Sequence, residues 1–294
     1  MITVAEAFEK FRQRLELSET EEKDAIRRRN DVSKCICAAF DIEREFLTGS
    51  YARHTKTKPL KDVDIFFCLG KNDKHWRIKP PGQVLQAFKN ALSKEFGDDA
   101  VESGRRCVTI DFEKRNPTAD EEGKVLSNDA VPAIKIDGCY EIPDSMLGKW
   151  IKTDPELHSE KATAKNKALG GKWVPLVKML KRWNRSANKP ISPSFLIEVM
   201  ALDLCDPPFS NYSSEVRRFF AAALDGIMQD WPDPAGYGPP VSDQMTPQKR
   251  QDAIRALRAA EVKATQAVNL EKQGKNGEAL SLWREIMGKY FPTS

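Results

Sequence analysis

The feature that most constrains the fold of this sequence is the segment 62–69, which begins with alternating polar and apolar residues and continues with apolar ones. Successive side chains of a β-strand point to opposite faces of a sheet, so a period of two predicts a strand here. One face of this strand is entirely apolar, whereas the other begins with Asp62 and Asp64. The sequence therefore predicts a sheet in which two carboxylates project from the same face at the start of one strand.

Patterns on either side of this strand predict a mixed α/β half followed by a helical half. Two S/T-x-x-E capping boxes, which start helices, begin at residues 3 and 18. Apolar periodicity predicts strands over 45–48, 62–69, 105–112, 130–136 and 139–142, and helices over 83–96, 173–184, 193–205, 214–229, 247–272 and 278–290. We expect a polar loop over 114–127 and a proline-rich extended connector over 231–240.

The length of 294 residues fits two domains, because globular domains average about 150 residues. We place the boundary just after the last predicted strands. Residues 1–155, with the N-terminal helices, then form one domain, and residues 156–294 form a helical domain. The predicted fold class is α+β, a mixed sheet followed by an α-helical C-terminal domain.

Charge and cysteine content exclude several classes of protein. The 47 Lys+Arg and 43 Asp+Glu leave a net charge of +4, far from the strongly basic character of a dedicated nucleic-acid binder. The six cysteines are scattered and accompany three histidines, so neither a zinc site nor a disulfide framework is expected. No stretch reaches the roughly 18 apolar residues of a membrane span, and the N-terminus lacks a signal-peptide pattern, so we expect a cytoplasmic protein.

The aspartate pair and the preceding Gly49-Ser50 together indicate a metal and nucleotide site. Carboxylates at positions i and i+2 of a strand repel each other unless a cation lies between them. A glycine lets the backbone approach a phosphate, and a serine hydroxyl with exposed backbone N–H groups can hold the phosphate oxygens. The alternative interpretation, which fits many D-x-D strings, is a pair of solvated residues at a strand edge.

The string GSYARHTKTKPLKDVDIFF, residues 49–67, resembles the G-S and D-x-D signature of the polymerase-β-like nucleotidyltransferase superfamily. Within it, L-T-G-S-Y, R-H-T and K-D-V-D-I-F resemble the bacterial cGAS/DncV-like nucleotidyltransferases (CD-NTases), with clade D as the candidate subgroup. The resemblance implies a polymerase-β-like nucleotidyltransferase core with a mixed sheet. It also implies a helical domain, similar to that of the oligoadenylate synthetases, that closes the nucleotide cleft.

A third carboxylate on a later strand is also implied by the resemblance. The string NDAVPAI is similar to the family's D-x-V-P-A pattern, which makes Asp129 the candidate, and Asp111 in VTIDF is the competing candidate. Asp62, Asp64 and Asp129 would then be the catalytic residues and metal ligands. Gly49 and Ser50 would bind the nucleotide.

Two strings of the helical half, VPLVKMLKRWN and ISPSFLIEVMALDL, resemble the helix pair that lies behind the nucleotide in this family. The resemblance implies that Lys181 and Ser194 contact the triphosphate and that Phe195 stacks on the base. Lys178 and Thr153 are further candidates for nucleotide contacts. Without the resemblance, a solvated basic helix face, a core phenylalanine and a surface-loop threonine are the simpler interpretations.

The function implied by the resemblance is that of a cyclic oligonucleotide synthase in anti-phage defence signalling. Such an enzyme joins NTPs, with ATP among them and GTP or another NTP as further candidates, into a cyclic di- or trinucleotide and releases pyrophosphate. Two Mg²⁺ ions suit the all-oxygen ligands, with Mn²⁺ as a substitute. The sequence has no counterpart of the DNA-binding zinc module of human cyclic GMP-AMP synthase. The resemblance implies activation by a regulatory protein partner, or constitutive activity, and the net charge of +4 gives little support for a nucleic-acid activator.

Two other functions fit part of the same sequence. Another polymerase-β-like nucleotidyltransferase, which modifies a protein, a tRNA end or a small molecule, would share the three carboxylates but not the match in the helical half. A catalytically dead homologue that binds a nucleotide or a partner would not need Asp62, Asp64 and Ser50, all of which are present.

Overall fold

A computed structural model of the chain describes residues 2–58, 60–115 and 127–294. The chain forms two compact units: a sheet unit, residues 17–158, and a helical unit, which combines the N-terminal residues up to Glu16 with residues 159–294. The loop predicted over 114–127 falls mainly on residues 116–126, which lie outside the described residues.

Within the described residues, the sheet unit is built on a seven-stranded mixed sheet. Its strands are β1 (Ile42–Leu47), β2 (Asp62–Leu69), β3 (Val101–Ser103), β4 (Val108–Asp111), β5 (Ser127–Ile136), β6 (Cys139–Asp144) and β7 (Lys149–Thr153). Five strands follow the order β1-β2-β5-β4-β3, and β6 pairs with β5 and β7. β2 and β5 run parallel, whereas β2 runs antiparallel to β1 and β5 antiparallel to β4. The clearest strand of the sequence, β2, therefore lies inside the sheet.

The helices are α1 (Val4–Arg14), α2 (Glu19–Ala39), α3 (Gly49–Ala52), α4 (Pro81–Phe96), α5 (Phe112–Arg115), α6 (Pro155–Ala168), α7 (Trp173–Ser186), α8 (Phe195–Leu204), α9 (Tyr212–Gly226), α10 (Pro247–Lys272) and α11 (Asn276–Met287). Both predicted capping boxes are confirmed: Thr3 caps α1 together with Glu6, and Ser18 caps α2 together with Glu21. Across the part of the chain that the structure describes, no helix has both the length and the apolar character that crossing a membrane requires.

The core of the sheet unit explains the alternation in β2. The odd-numbered side chains pack with apolar residues of α2 and α4 and are at most 1% exposed: Val63, Ile65, Phe67 and Leu69. On the other face Phe66 and Cys68 are also buried, as is common for a strand with a parallel neighbour. The burial of this second face decreases toward the start of β2, where Asp62 is exposed and Asp64 is half-buried. The two carboxylates therefore lie at the start of a strand that is otherwise buried.

The helical unit packs around buried aromatic side chains. Three tryptophans are at most 2% exposed: Trp173, Trp183 and Trp283. The ring of Phe8, in α1, contacts Trp283 and Phe291 with centroid separations of 5.0 and 5.1 Å. α1 is therefore part of the core of this unit.

The division into compact units differs from the division predicted for the chain. The prediction ended the first domain at residue 155 and included all N-terminal helices in it, whereas the sheet unit ends at His158 and α1 lies in the helical unit. An apolar stripe predicts that a helix has a buried face but contains no information about the element on which that face packs.

Most predicted elements are present with shifted ends. The segment predicted as one strand over 105–112 is a turn followed by β4. The sequence patterns did not predict β3, β7 and α6. α6 is polar around most of its circumference, and β3 and β7 are only three and five residues long, so periodicity is weak in all three. As expected, residues 231–240 contain neither helix nor strand.

Candidate active site

The predicted aspartates lie on two neighbouring strands of the sheet unit. β2 and β5 pair in parallel, with Asp64 opposite Asp129 and Asp62 opposite Ser127. Register partners project from the same face of a sheet, and so do residues i and i+2 of one strand. Asp62, Asp64 and Asp129 therefore share one face where β2 begins.

β4 extends this face by one more strand. It pairs antiparallel with β5, so that Thr109 lies opposite Asp129. Thr109 Oγ1 donates a hydrogen bond of 2.6 Å to Asp129 Oδ1. The Asp111 side chain accepts a hydrogen bond of 3.0 Å from the backbone N–H of Glu113, at the start of α5. Of the two candidates for the third carboxylate, Asp129 is the one directly opposite Asp64.

The carboxyl group of Asp129 has a raised pKa. Its burial is the largest cause, because burial disfavours the charged form, and the negative charge of Asp62 acts in the same direction. Hydrogen bonds from Thr109 and Cys107 oppose this shift. The pKa of the Cys107 thiol is raised as well, by its burial and by the charges of Asp129 and Asp64. Negative charge is thus concentrated at this point of the sheet.

Gly49 lies directly against the second aspartate. Its φ is +61°, in the left-handed region that favours glycine, and an added Cβ would lie 1.7 Å from Asp64 Oδ2. The backbone N–H of Thr48 donates a hydrogen bond of 2.9 Å to the Asp64 carbonyl oxygen. Ser50 follows in α3, where its carbonyl oxygen accepts a hydrogen bond from the N–H of Thr55 at 2.9 Å. The Gly-Ser turn is therefore joined to β2 beside the carboxylates.

Two lysines of α7 are buried and paired with carboxylates. Lys181 is 5% exposed and forms an ion pair with Glu198 of α8, which is 1% exposed. Lys178 is equally buried, and its Nζ lies 2.7 Å from a carboxylate oxygen of Glu16. The simpler interpretation, a solvated basic helix face, is therefore wrong for both residues.

The remaining predicted residues lie at the ends of elements. Ser194 is exposed and directly precedes α8, and Phe195, the first residue of α8, is half-buried against the core of the helical unit. Thr153 is the last residue of β7 in the sheet unit. The structure thus brings the three aspartates together with the Gly-Ser turn in the sheet unit. The predicted triphosphate and base contacts lie in the helical unit.

Three residues with notable contacts were not predicted as site residues: Thr109, Cys107 and Glu198. The first two carried a weak signal, because they alternate with Asp111 along one strand face. Glu198 carried a stronger one, because it stands in an otherwise apolar stretch of α8, where a carboxylate needs a partner. The identity of each partner depends on the tertiary structure.

The donor set of the sheet unit fits Mg²⁺ or Mn²⁺, which prefer carboxylate oxygens, rather than zinc. A divalent cation would also offset the negative charge of Asp62, which adds to the effect of burial in raising the pKa of Asp129. In residues 2–58, 60–115 and 127–294, no three His, Cys, Asp or Glu side chains already converge on a common point as ligands. The backbone therefore places the three carboxylates on one face of the sheet.

A mixed sheet with a Gly-Ser turn against an Asp-x-Asp strand, and a third aspartate on the parallel neighbour, defines a polymerase-β-like nucleotidyltransferase. The family model for SMODS, the Second Messenger Oligonucleotide or Dinucleotide Synthetase domain, matches residues 1–166, and the chain belongs to this family. The predicted membership of the bacterial cGAS/DncV-like nucleotidyltransferases is thereby confirmed.

Curated relatives and solved structures agree with this assignment. A cyclic AMP-AMP-AMP synthase of Acinetobacter sp. is 28% identical over 92% of this chain and 78% of its own length. A probable cyclic nucleotide synthase of Bacillus cereus is 27% identical over 83% of this chain and 81% of its own. The structure of E. coli MS115-1 CdnC with ATP matches with a TM-score of 0.72 over 99% of both chains at 17% identity. The predicted fold and the predicted enzyme class, a nucleotidyltransferase that makes cyclic oligonucleotides, are confirmed.

Proposed function

We propose that this protein joins ATP molecules into cyclic AMP-AMP-AMP, with release of pyrophosphate, as a second messenger in anti-phage defence. The proposed catalytic activity rests on the strand register, which places Asp64 opposite Asp129 with Asp62 on the same face. The relatives support the product, because cyclic AMP-AMP-AMP synthases of Acinetobacter sp. and of E. coli strain MS 115-1 both match this chain.

Each transfer forms one P–O bond and breaks another. A ribose hydroxyl of one nucleotide attacks the α-phosphorus of a second, pyrophosphate leaves, and the hydroxyl proton is released. Three such transfers, of which the last closes the ring, convert three ATP into one cyclic trinucleotide, three pyrophosphates and three protons. All three transfers are the same reaction, so one set of carboxylates serves them in turn.

We assign Asp62, Asp64 and Asp129 as ligands of two Mg²⁺ ions, with Asp129 on the side of the attacking hydroxyl. Bound Mg²⁺ supplies the positive charge that lowers the pKa of this hydroxyl and offsets the charge of the triphosphate. Gly49 leaves the space that the Asp64 carboxylate occupies, because any larger residue would overlap it. Ser50 is assigned to the phosphates beside this turn.

In the helical unit we assign Lys181 and Ser194 to the triphosphate and Phe195 to the base. An ammonium group is a compact charge that suits phosphate oxygens. Lys181 also forms an ion pair with Glu198, which restricts the direction of its side chain. Lys178 and Thr153 stay predicted nucleotide contacts, and no further observation supports this role for either residue.

Incubation of the purified protein with ATP and Mg²⁺ tests the proposal. Mass spectrometry of the phosphatase-resistant product should show a cyclic trimer of AMP, and GTP, CTP or UTP alone should yield little product. A cyclic product of another size or base composition would contradict the proposed product but not the synthase class. Transfer of label to a protein or tRNA would instead support another nucleotidyltransferase.

The matched control changes both Asp62 and Asp64 to Asn, which removes two charges and preserves side-chain shape. Product formation should then be lost while the thermal unfolding midpoint stays close to that of the wild type. If the double variant still made product, the catalytic interpretation would be wrong. Wild-type protein that bound ATP but transferred none of it, even with a regulatory partner present, would support the catalytically dead alternative.

We also infer that a protein partner regulates the enzyme. A chain in the structure of the E. coli MS115-1 CdnC:HORMA-deltaN complex matches this chain with a TM-score of 0.69 over 98% of both chains, and this match supports the inference. Addition of a HORMA protein from the same genome should raise the rate of product formation. An equal rate with and without it would indicate constitutive activity.

A further inference from the structure

Thr109 lies beside the proposed metal ligands and is bonded to one of them. It stands in β4 directly opposite Asp129, which in turn stands opposite Asp64 in β2. The three side chains therefore form one row across three strands, on the face that carries Asp62. The hydroxyl of Thr109 donates to Asp129 Oδ1 at 2.6 Å, a short and well-formed O–H···O bond.

Neutral donors orient a carboxylate without offsetting its charge. Asp129 accepts hydrogen bonds from the Thr109 hydroxyl and the Cys107 thiol, both neutral groups. Asp144, a fully buried carboxylate of the same unit, is instead held by the guanidinium groups of Arg105 and Arg106 at 2.8 and 2.9 Å. The charge of Asp144 is thus already balanced, whereas these two donors leave the charge of Asp129 unbalanced.

We propose that Thr109 is a positioning residue for the metal site: its hydroxyl holds Asp129 in the rotamer that binds the divalent ion on the side of the attacking hydroxyl. The inference rests on the proposed role of Asp129 as the third carboxylate. The hydrogen bond from Thr109 to Oδ1 restricts rotation of the carboxylate plane of Asp129. Groups that orient metal ligands in this way typically change metal affinity or activity by about 10–100-fold when removed.

Thr109→Val tests this directly, because valine has the shape and β-propensity of threonine without the hydroxyl. Mn²⁺ binding to the nucleotide-free protein, followed by electron paramagnetic resonance of free Mn²⁺, should weaken by roughly tenfold or more. Thr109→Ser, which keeps the hydroxyl, should restore wild-type affinity. Product formation at saturating ATP should require more Mn²⁺ in the valine variant and recover in part at high Mn²⁺.

Thr265→Val is the matched control. Thr265 Oγ1 donates to Glu261 at 2.9 Å in the helical unit, so this change also removes a hydroxyl donor from a carboxylate. Its Mn²⁺ affinity should equal that of the wild type. A purely structural role for Thr109 predicts a lower unfolding midpoint with an unchanged half-saturating Mn²⁺ concentration, and that result would overturn the inference.

Asp129→Asn separates this inference from the proposed function. If Asp129→Asn loses Mn²⁺ affinity and Thr109→Val does not, the role of Thr109 is wrong and the third carboxylate stands. If Asp129→Asn binds Mn²⁺ as the wild type does, the assignment of Asp129 itself is wrong. Should the valine variant fail to fold, Thr109→Ser decides, because weak Mn²⁺ binding in a folded serine variant contradicts a role for the hydroxyl.

Discussion

Gly49 is the residue at which one added carbon atom would disturb the proposed metal site. Its backbone is left-handed, and a Cβ would overlap the Asp64 carboxylate. We expect Gly49→Ala to abolish most product formation and to lower the free energy of unfolding by about 1–2 kcal/mol from backbone strain alone. Initial rates of product formation and urea unfolding measure the two effects.

Gly138 provides the matched control for this prediction. Its φ is +75°, and an added Cβ would meet nothing within 4 Å. Gly138→Ala should therefore cost similar stability and leave product formation unchanged. Equal loss of activity in both variants would show that backbone strain, and not contact with Asp64, accounts for the effect.

Asp144 should make the stability of the sheet unit depend on pH. Burial by itself raises the pKa of this carboxyl group, but hydrogen bonds from Arg105, the Leu147 N–H and Arg106 outweigh burial and lower the pKa. A lowered pKa in the folded state means that Asp144 stabilises the fold above its unfolded pKa of about 3.9. This contribution is lost as the pH falls through the lower, folded value.

Asp144→Asn should therefore lower the free energy of unfolding at neutral pH by about 3 kcal/mol, because it leaves two half-buried guanidinium groups without this buried counter-charge. The difference from the wild type should narrow only below about pH 4. Urea unfolding across this range measures the difference. Asp137→Asn, which changes an exposed turn residue, is the control and should leave the free energy of unfolding nearly unchanged. A difference for Asp144→Asn that stayed constant with pH would contradict the linkage.

At the scale of elements, α7 and α8 share an apolar core and are also linked by the buried ion pair between Lys181 and Glu198. Lys181→Ala should raise the KM for ATP by roughly tenfold, because a charge-assisted contact to phosphate contributes about 1.5–3 kcal/mol. The same change removes the ion-pair partner of Glu198 and should also destabilise the helical unit. Steady-state kinetics and thermal unfolding separate the two effects.

A double variant, Lys181→Ala with Glu198→Ala, isolates the nucleotide contact. It removes both charges of the pair, so stability should recover in part while the KM for ATP stays high. Lys165→Ala, which breaks the ion pair between α6 and Asp206, serves as the control and should leave the KM unchanged. An unaltered KM in the Lys181→Ala variant would refute the triphosphate assignment.

At the scale of the whole molecule, divalent ions should stabilise the folded chain. Ions that bind only the folded chain add roughly 2.7 kcal/mol to the free energy of unfolding when their concentration is about 100 times the dissociation constant. We expect Mn²⁺ to raise the thermal unfolding midpoint and EDTA to reverse the rise. The Asp62→Asn, Asp64→Asn double variant should show neither effect, and an equal rise in that variant would place the ion elsewhere.

Strong local signals made part of the fold predictable from the sequence. β2 begins with alternating polar and apolar residues, and the capping boxes of α1 and α2 join residues three positions apart. α6 could not be predicted because most of its surface is polar, and its position depends on the core of the whole unit. The compact unit to which α1 belongs could not be predicted, because the apolar stripe of a helix contains no information about the residues on which it packs.

The sequence by itself identified the family of this protein and the residues proposed for its chemistry, namely the Asp62 and Asp64 pair and the glycine before Ser50. Side-chain spacing within one strand or turn is a local property, so it can be derived from residue order. Only the tertiary structure decided that Asp129 and not Asp111 lies opposite Asp64, that Thr109 donates to Asp129, and that Glu198 pairs with Lys181. These contacts join residues far apart in the chain, and strand register and helix packing set them.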